Sequence, residues 1–481
     1  MQQMLLGVGG PSEPFWISEL WDDNSSDKIE HAMGAGEYGG NIFVGGGMND
    51  QTFSGTRFFV VSYDSEDGSI NWHKSYAVTN DAPSYGRSMV TDSNGDCHLY
   101  GMYAVILKVD GDDGDVIQSR KAMSSSYAYN GGFGARFLDV GTGEGRGIFG
   151  TFDGDPWFQS LNPNGTHSNC HRKIHSFSGH KPTAKGLKQK KGSTGRWNLL
   201  LRNTPTASTG GNRLSSLVKQ ISETGSVIYW ERELYYATSQ SGANWGFEPF
   251  SLDVDSSSNI YVVGEGMFGN DRPSWFFISK WNDSGTHQWV VKYGDGSSGG
   301  VDATNRAHDC RCDGDGNIYV IGESFGGNNN GAVPGGHPSW VLAKFNSSGT
   351  LQWGRYIKLT TSNNYWDDRI DLGRMAISTD DKAVILFGRR HGSNITGKRG
   401  VTMKLDTKGP KTGSWSSGNA AYTIGELPTS GSYAWTASTV SGYSEREQTD
   451  GTWTNYSRTT GNLSDSDDDH TWASNTVLDV T

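Results

Sequence analysis

NIYVVGEGMFGNDRPSWFFISKWNDSGTHQWVVKY, residues Asn259–Tyr293, holds three strand-like runs. Ile260–Glu265 (IYVVGE) is a short apolar run closed by glycine. Ser274–Trp281 (SWFFISKW) alternates and carries a lysine near its end, and Thr286–Tyr293 (THQWVVKY) follows a tight DSG turn. Short runs rich in β-branched and aromatic residues, bounded by Gly, Asn, Asp and Ser, are strand signals. The same text recurs over Asn317–Tyr356 as IYVIGE, SWVLAKF, NSSGT and LQWGRY.

Working outward, the lysine-bearing run has seven copies: Phe58–Asp64, Tyr103–Asp110, Trp157–Asn162, Ser215–Ile221, Trp275–Trp281, Trp340–Phe345 and Gly400–Leu405. Its recurring polar position is Ser62, Lys108, Ser160, Lys219, Lys280, Lys344 and Lys404, at separations of 46, 52, 59, 61, 64 and 60 residues. The glycine-closed run also has seven copies, at Ile42–Gly46, Cys97–Gly101, Gly147–Thr151, Asn198–Asn203, Ile260–Glu265, Ile318–Glu323 and Val384–Arg389. A weaker strand precedes most of them, as in Arg87–Val90, Pro249–Val254 and Arg374–Ser378, and a tryptophan marks the fourth (Trp72, Trp230, Trp289, Trp353, Trp415). Four antiparallel strands repeated at such a period predict an all-β fold: a single β-propeller of seven four-stranded blades. A lone four-stranded sheet cannot bury both faces, whereas stacking blades around an axis does.

Residues 313–322 and 344–353 carry D-x-x-G-N-[IV]-Y-V-x-G and K-[FLW]-[ND]-x-x-G-x-x-x-W, and 255–264 and 280–289 nearly so. On these motifs the chain resembles the SBBP-type bacterial β-propeller repeat. Blades one, two and seven match loosely, and residues 130–232 match poorly, which leaves the blade count open to six or eight and makes contacts or insertions expected there. The expected organisation is an N-terminal arm (1–20), the propeller (21–417) and a β-rich C-terminal extension (418–481) of low aliphatic content. Pro14–Trp21 reads as an orphan outer strand, available to complete the last blade beside Gly413–Ser417 or to replace part of it.

The 481 residues include 67 Gly, 13 Pro, 17 Trp and 20 Tyr, with 19% charged. This mix suits short strands and glycine turns rather than long helices. The net charge of −11 argues against generic nucleic-acid binding. No run of about 18 apolar residues predicts a membrane span. The opening MQQMLLGVGG lacks a basic n-region, so export by a signal peptide is not expected. Four cysteines (Cys97, Cys170, Cys310, Cys312) are too few for a disulfide framework and read as reduced.

Four constellations invite chemistry. Asp92–Asp96, Asp110–Asp115 and Asp313–Asn317 offer oxygens of the kind calcium takes, but Asp, Asn and Gly also make tight turns unaided. His308, Cys310 and Cys312 share a strand face, yet ligands that far apart suit one zinc ion poorly. His167, Cys170, His171, His175 and His180 run into the basic stretch Lys181–Arg196, which suits a phosphate, an acidic neighbour or a solvated loop. Glu248, Asp253, His308, Asp309, Asp368 and Asp371 fall at or near first strands, where a carboxylate pair would serve glycoside hydrolysis. Walker loops and HExxH do not occur, and no Rossmann glycine fingerprint stands on a βα unit. No catalytic, cofactor or metal residue is assigned. The recurring lysines are expected to pack their stems along the blade with the amine in solvent.

In style, with long Gly/Ser/Asn/Thr-rich loops and a Trp/Thr/Ser-rich tail, the chain resembles structural proteins of tailed marine phages. That resemblance implies a non-enzymatic virion component of the tail, baseplate or fibre region, assembled in the host cytoplasm in multiple copies. Its partners would be other virion proteins and a host-surface glycan or protein. Tyr127, Tyr129, Trp245, Tyr365 and Trp366 are the candidate interaction surface, since exposed aromatics stack on sugars and anchor interfaces. The alternatives are a propeller glycosidase or lyase acting on surface polysaccharide, and a bacterial surface protein.

Overall fold

The computed structural model describes residues 2–7, 16–21, 28–50, 55–76, 86–101, 105–121, 134–140, 146–152, 155–161, 167–173, 182–191, 195–203, 213–223, 227–235, 245–267, 274–293, 304–325, 339–359, 369–391, 399–417, 420–427, 435–438, 444–447, 461–462 and 476–477. Among them, every helix or strand assigned is a β-strand. The strands follow the sequence pattern: first, second, third and fourth strands pair antiparallel in order, as in Trp245–Val254, Ile260–Met267, Ser274–Trp281 and His287–Tyr293. These four-stranded meanders make a β-propeller.

First strands lie against one another around the axis. Lys28–Tyr38 contacts Gly86–Thr91, which contacts Gly134–Val140; Thr183–Gln189, Trp245–Val254, Thr304–Cys312 and Arg369–Ile377 follow in turn, and the last returns to Lys28–Tyr38. Apolar faces of neighbouring meanders share cores: Tyr319, Ile321 and Trp340 pack with Met375, Leu386 and Met403. By hydrogen bonding the sheets among the described residues number six, where seven separate blades were expected. One has eleven strands, because Arg213 and Leu214 pair in parallel with Trp245 and Gly246 and so join two meanders.

A repeated contact fastens each meander to the next. Opposite the polar residue near the end of the third strand stands a tryptophan on the fourth: Ser62 faces Trp72, Gln220 faces Trp230, Lys280 faces Trp289 and Lys344 faces Trp353. In each case the register shifts at the next pair, a bulge that re-aims the side chains. Each indole Nε1 donates to a carbonyl in the following meander's tight turn: Trp72 to Gly111 (3.0 Å), Trp230 to Asp283 (3.0 Å), Trp289 to Ser347 (3.2 Å) and Trp353 to Thr407 (3.0 Å). The rings of Trp230 and Trp289 lie over Gly285 (φ 78°) and Gly349 (φ 81°). The left-handed turn needs glycine, and an added Cβ would come within 2.8 and 3.0 Å of the indoles.

The N-terminal strand supplies the missing member of this series. Trp16–Trp21 pairs antiparallel with Arg399–Asp406, placing Trp16 opposite Lys404. Trp16 Nε1 donates to the Ser65 carbonyl at 3.2 Å, and its ring covers Gly68. The strand therefore stands as fourth strand of the last meander and closes the ring onto the first. Gly413–Ser417, with Trp415, pairs instead with Ala420–Glu426, which extends the sheet ending in Leu351–Leu359. Buried Glu19 ties these pieces together: it accepts from Arg390 (2.7 Å), Arg399 (3.3 Å) and Tyr422.

The remaining described strands of the C-terminal region also lie on outer edges. Trp435–Ser438 pairs with His287–Tyr293; Ser444–Glu447 and Gly461–Asn462 pair with Val227–Tyr235; Thr476–Val477 pairs with Val116–Lys121. The tail thus runs backward around the disc, adding short strands to edges that would otherwise present unpaired backbone groups.

The recurring lysines are not stems with solvated amines. Lys280 donates to the Ser347 carbonyl at 2.9 Å and Lys404 to the Ser65 carbonyl at 2.6 Å, the acceptors of Trp289 and Trp16. Lys108 bridges Asp92 and Asp96. Lys219 does not belong to the set: Gln220 occupies the position opposite Trp230. A one-residue offset sends a side chain to the other sheet face, so Lys219 is buried in an ion pair with Glu231.

Gly349→Ala should destabilise more than Gly40→Ala, by about 1–3 kcal/mol from overpacking against the Trp289 ring. Both glycines have positive φ, but nothing lies within 4 Å of a Cβ at Gly40. Urea unfolding of the two variants checks this, and equal losses would exclude the indole contact as the cause.

Candidate functional site: the charged inner strands

The basic stretch of the sequence folds as a first strand, and its cations meet the acidic residues of the next one. Thr183–Gln189 carries Lys185, whose Nζ lies 3.1 Å from Glu248 Oε1. Arg202 Nη1 approaches the same oxygen at 2.6 Å. Lys188 reaches Asp253 at 4.0 Å and Lys190 reaches Asp283 at 2.5 Å. Of the readings open for this stretch, the acidic neighbour is realised within the chain itself. His167, Cys170 and His171 lie on the strand His167–Lys173, whereas His175 and His180 lie outside the described residues.

Asp309 is the hub of a second cluster. Its Oδ1 accepts from Ser251 Oγ (2.7 Å) and Arg311 Nη1 (2.7 Å), and its Oδ2 from the Met375 N–H (3.1 Å). It therefore links three successive first strands. Arg374 donates to the His308 carbonyl at 3.1 Å, Arg306 binds Glu265 at 2.9 Å, and His308 Nε2 sits 3.0 Å from Glu323. The Asp253 carboxylate accepts the Cys312 N–H at 2.8 Å.

Electrostatics follow from these partners. Burial opposes the charge on Glu248, but Lys185 and Arg202 outweigh it and hold the carboxyl below its ordinary value. Burial likewise opposes charge on Asp309, and Arg311, Arg374, Ser251 and the Met375 N–H overcome it. A general acid near neutral pH needs the opposite shift. Among the described residues the carboxylate pushed upward is Glu231, through burial, and it is spent on Lys219. Asp371 is placed in register with Arg389, and Asp368 lies outside the described residues.

The other constellations resolve into architecture. Asp313 Oδ1 accepts the N–H groups of Asp315 (3.1 Å) and Asn317 (2.8 Å), and its Oδ2 takes Asn317 Nδ2 (2.8 Å) and Tyr319 OH (3.1 Å). Asp255 repeats the pattern with Ser257, Asn259 and Tyr261. Asp92 varies it, with His98 Nε2 at 2.6 Å in the tyrosine's place. These oxygens are occupied by donors of their own turn. Cys310 and Cys312 pack in a hydrophobic core, where burial pushes both thiols up. Cys97, Cys310 and Cys312 form no disulfide. Among the described residues no group of three His, Cys, Asp or Glu is placed to hold a metal ion. Nor is any described helix long and apolar enough to cross a membrane.

Of the aromatic candidates, Trp245 opens a first strand and its backbone pairs with Arg213; Tyr127, Tyr129, Tyr365 and Trp366 lie outside the described residues. Sequence reading missed the cations of the inner network, Arg202, Arg311 and Arg374. A usable signal was present in Arg306–Cys312 (RAHDCRC), where Asp309 stands among Arg306, His308 and Arg311 on one first strand.

No protein-family model matches the chain. No curated protein matches it either. Among solved structures it is similar to BamB from Moraxella catarrhalis, at 12% identity and a TM-score of 0.37, over 84% of this chain and 98% of that one. A likeness that distant carries no argument about function.

Acid should weaken the fold in two steps. Burial pulls His287 down to about 4. The unfolded chain therefore takes up this proton first, and stability falls as pH drops from about 6.5. Asp92, Glu248 and Asp309 have folded values below their ordinary ones. Their contribution is complete above the unfolded carboxylate range, about 4, and is lost as pH falls through the depressed values. Thermal unfolding of His287→Gln against pH should lose the first step and keep the second; an unchanged profile would refute the assignment.

Proposed function

We propose that this chain is a non-enzymatic structural component of a multi-copy assembly, a phage particle in the reading its sequence style suggests, with a seven-bladed disc as its rigid body. The blade count is supported by the closed series of first strands, with the eleven-stranded sheet taken as two blades. The SBBP-type motifs sit on the second strands and third-to-fourth turns that carry the clasps.

One observation carries the functional reading: the described carboxylates of the first strands are committed to cations and N–H donors. Such a network stiffens the axis and holds Glu248 and Asp309 in the charged form, the opposite of what a general acid needs. The disc is also two-faced. Tight turns such as 255–259, 282–286, 313–317 and 346–350 gather on one side, and 282–286 and 346–350 are locked by indoles. Second strands end and third strands begin on the other side, at Met267 and Ser274 and at Phe325 and Ser339, where sequence can vary without costing core packing. Contact with a host-surface glycan or protein belongs to that side.

The purified full chain should sediment above the mass of one chain and release no new reducing ends from a panel of bacterial surface polysaccharides. Turnover that disappears in both Asp253→Asn and Asp371→Asn would overturn the structural reading in favour of a glycosidase.

A further inference from the structure

The closing strand Trp16–Trp21 presents a different set of side chains to each of its neighbours. Residues two apart on a strand share a face. Trp16 and Leu20 enter the core shared with the first meander, beside Ile42, Phe59 and Tyr63, and Ser18 between them hydrogen-bonds to the Tyr63 hydroxyl. Ile17 and Glu19 take the other face. Ile17 enters the core of Trp340, Met375 and Met403, which also receives Tyr422 and Ile424. Glu19 is fully buried; its Oε1 accepts from Arg390 (2.7 Å) and from the Tyr422 hydroxyl, and its Oε2 from Arg399 (3.3 Å). Burial first, and then the Glu19 charge, push the Tyr422 phenol up, so it stays protonated and donates.

Tyr422 lies outside the four-stranded repeat. It belongs to Ala420–Glu426, an extra strand paired on Leu351–Leu359 at the outer edge of the preceding meander. A second contact joins the same two regions. Gln2–Gly7, paired on the outside of Trp16–Trp21, lies beside Gly413–Ser417, which is itself paired with Ala420–Glu426. Glu19 and Tyr422 stand 403 residues apart in sequence. The closing strand is synthesised first and meets its partners last, since Arg399–Asp406 and Tyr422 follow nearly the whole disc. A buried carboxylate is stable only with its donors, and a buried phenol only with its acceptor. Each of the two strands therefore favours the seating of the other.

We propose that Trp16–Trp21 is a two-faced keystone, whose insertion into the last meander and the docking of Ala420–Glu426 on the preceding one are a single coupled event. Glu19 and Ile17 are the coupling contacts, and Trp16, Ser18 and Leu20 engage the first meander. The extra strand thereby senses closure of the ring: it is held when the N-terminal strand is seated and loosened when it is not. By reciprocity, Ala420–Glu426 stabilises the closed ring by the same factor.

Amide hydrogen exchange on full-length variants tests this. Leu20→Ala trims the first-meander face, in a core that Tyr422 does not enter. Coupling predicts exchange in Ala420–Glu426 faster by about fivefold or more, the lower end of ordinary coupling between sites, while Ser274–Trp281 across the disc keeps its protection. Tyr422→Phe keeps the ring, removes only the hydroxyl, and should speed exchange in Trp16–Trp21. Faster exchange in Trp16–Trp21 of Leu20→Ala with Ala420–Glu426 unchanged would overturn the coupling. Should Leu20→Ala lose protection throughout the disc, Tyr422→Phe decides: faster exchange in Trp16–Trp21 upholds the proposal, and unchanged exchange there overturns it.

Discussion

An indole laid across a neighbour's turn glycine is the contact on which this disc depends. Each blade alone is a four-stranded sheet that cannot bury both of its faces. Stacked cores bury its faces, but apolar faces permit sliding. The tryptophan removes that freedom: its Nε1 has one carbonyl to reach and its ring has one flat site, a glycine held in the left-handed region. The cross-strand lysine adds a second donor to the same acceptor at Ser347 and at Ser65. Joints on either side of residues 134–173 are built differently. Gln118 stands opposite Lys108 and Cys170 opposite Ser160, where a tryptophan stands elsewhere.

Much of this was legible beforehand. Period-two runs, turn glycines and the recurring lysine placed the strands because all three follow from local backbone geometry. Trp16 was harder. It precedes the repeats by the whole circumference of the ring, and nothing local marks Lys404 as its partner. Lys219 was misassigned for a related reason: one residue of register separates it from Gln220, and composition does not reveal on which side of a bulge a residue falls. The inner charges were visible as residues but not as pairs, since Lys185–Glu248 spans two first strands 63 residues apart. Tyr127, Tyr129, Tyr365 and Trp366 lie outside the described residues.

Charge and closure serve one end. Asp309 gathers donors from three first strands at the axis, Glu19 gathers Arg390, Arg399 and Tyr422 at the rim, and the tail crosses from edge to edge outside both. Removing one partner from such a buried cluster leaves an uncompensated charge, which costs more than the intact pair contributes. The arrangement gives a disc whose blades interlock through their turns and whose outer edges carry strands of the tail.

Amide hydrogen exchange on Trp16→Ala tests closure most directly. If this residue seals the ring as the other tryptophans seal their joints, protection is lost on both sides of the seam, in Arg399–Asp406 and in Gly55–Asp64, while Ser274–Trp281 across the disc keeps its protection. Loss confined to residues 16–21, with the first meander untouched, would contradict the account.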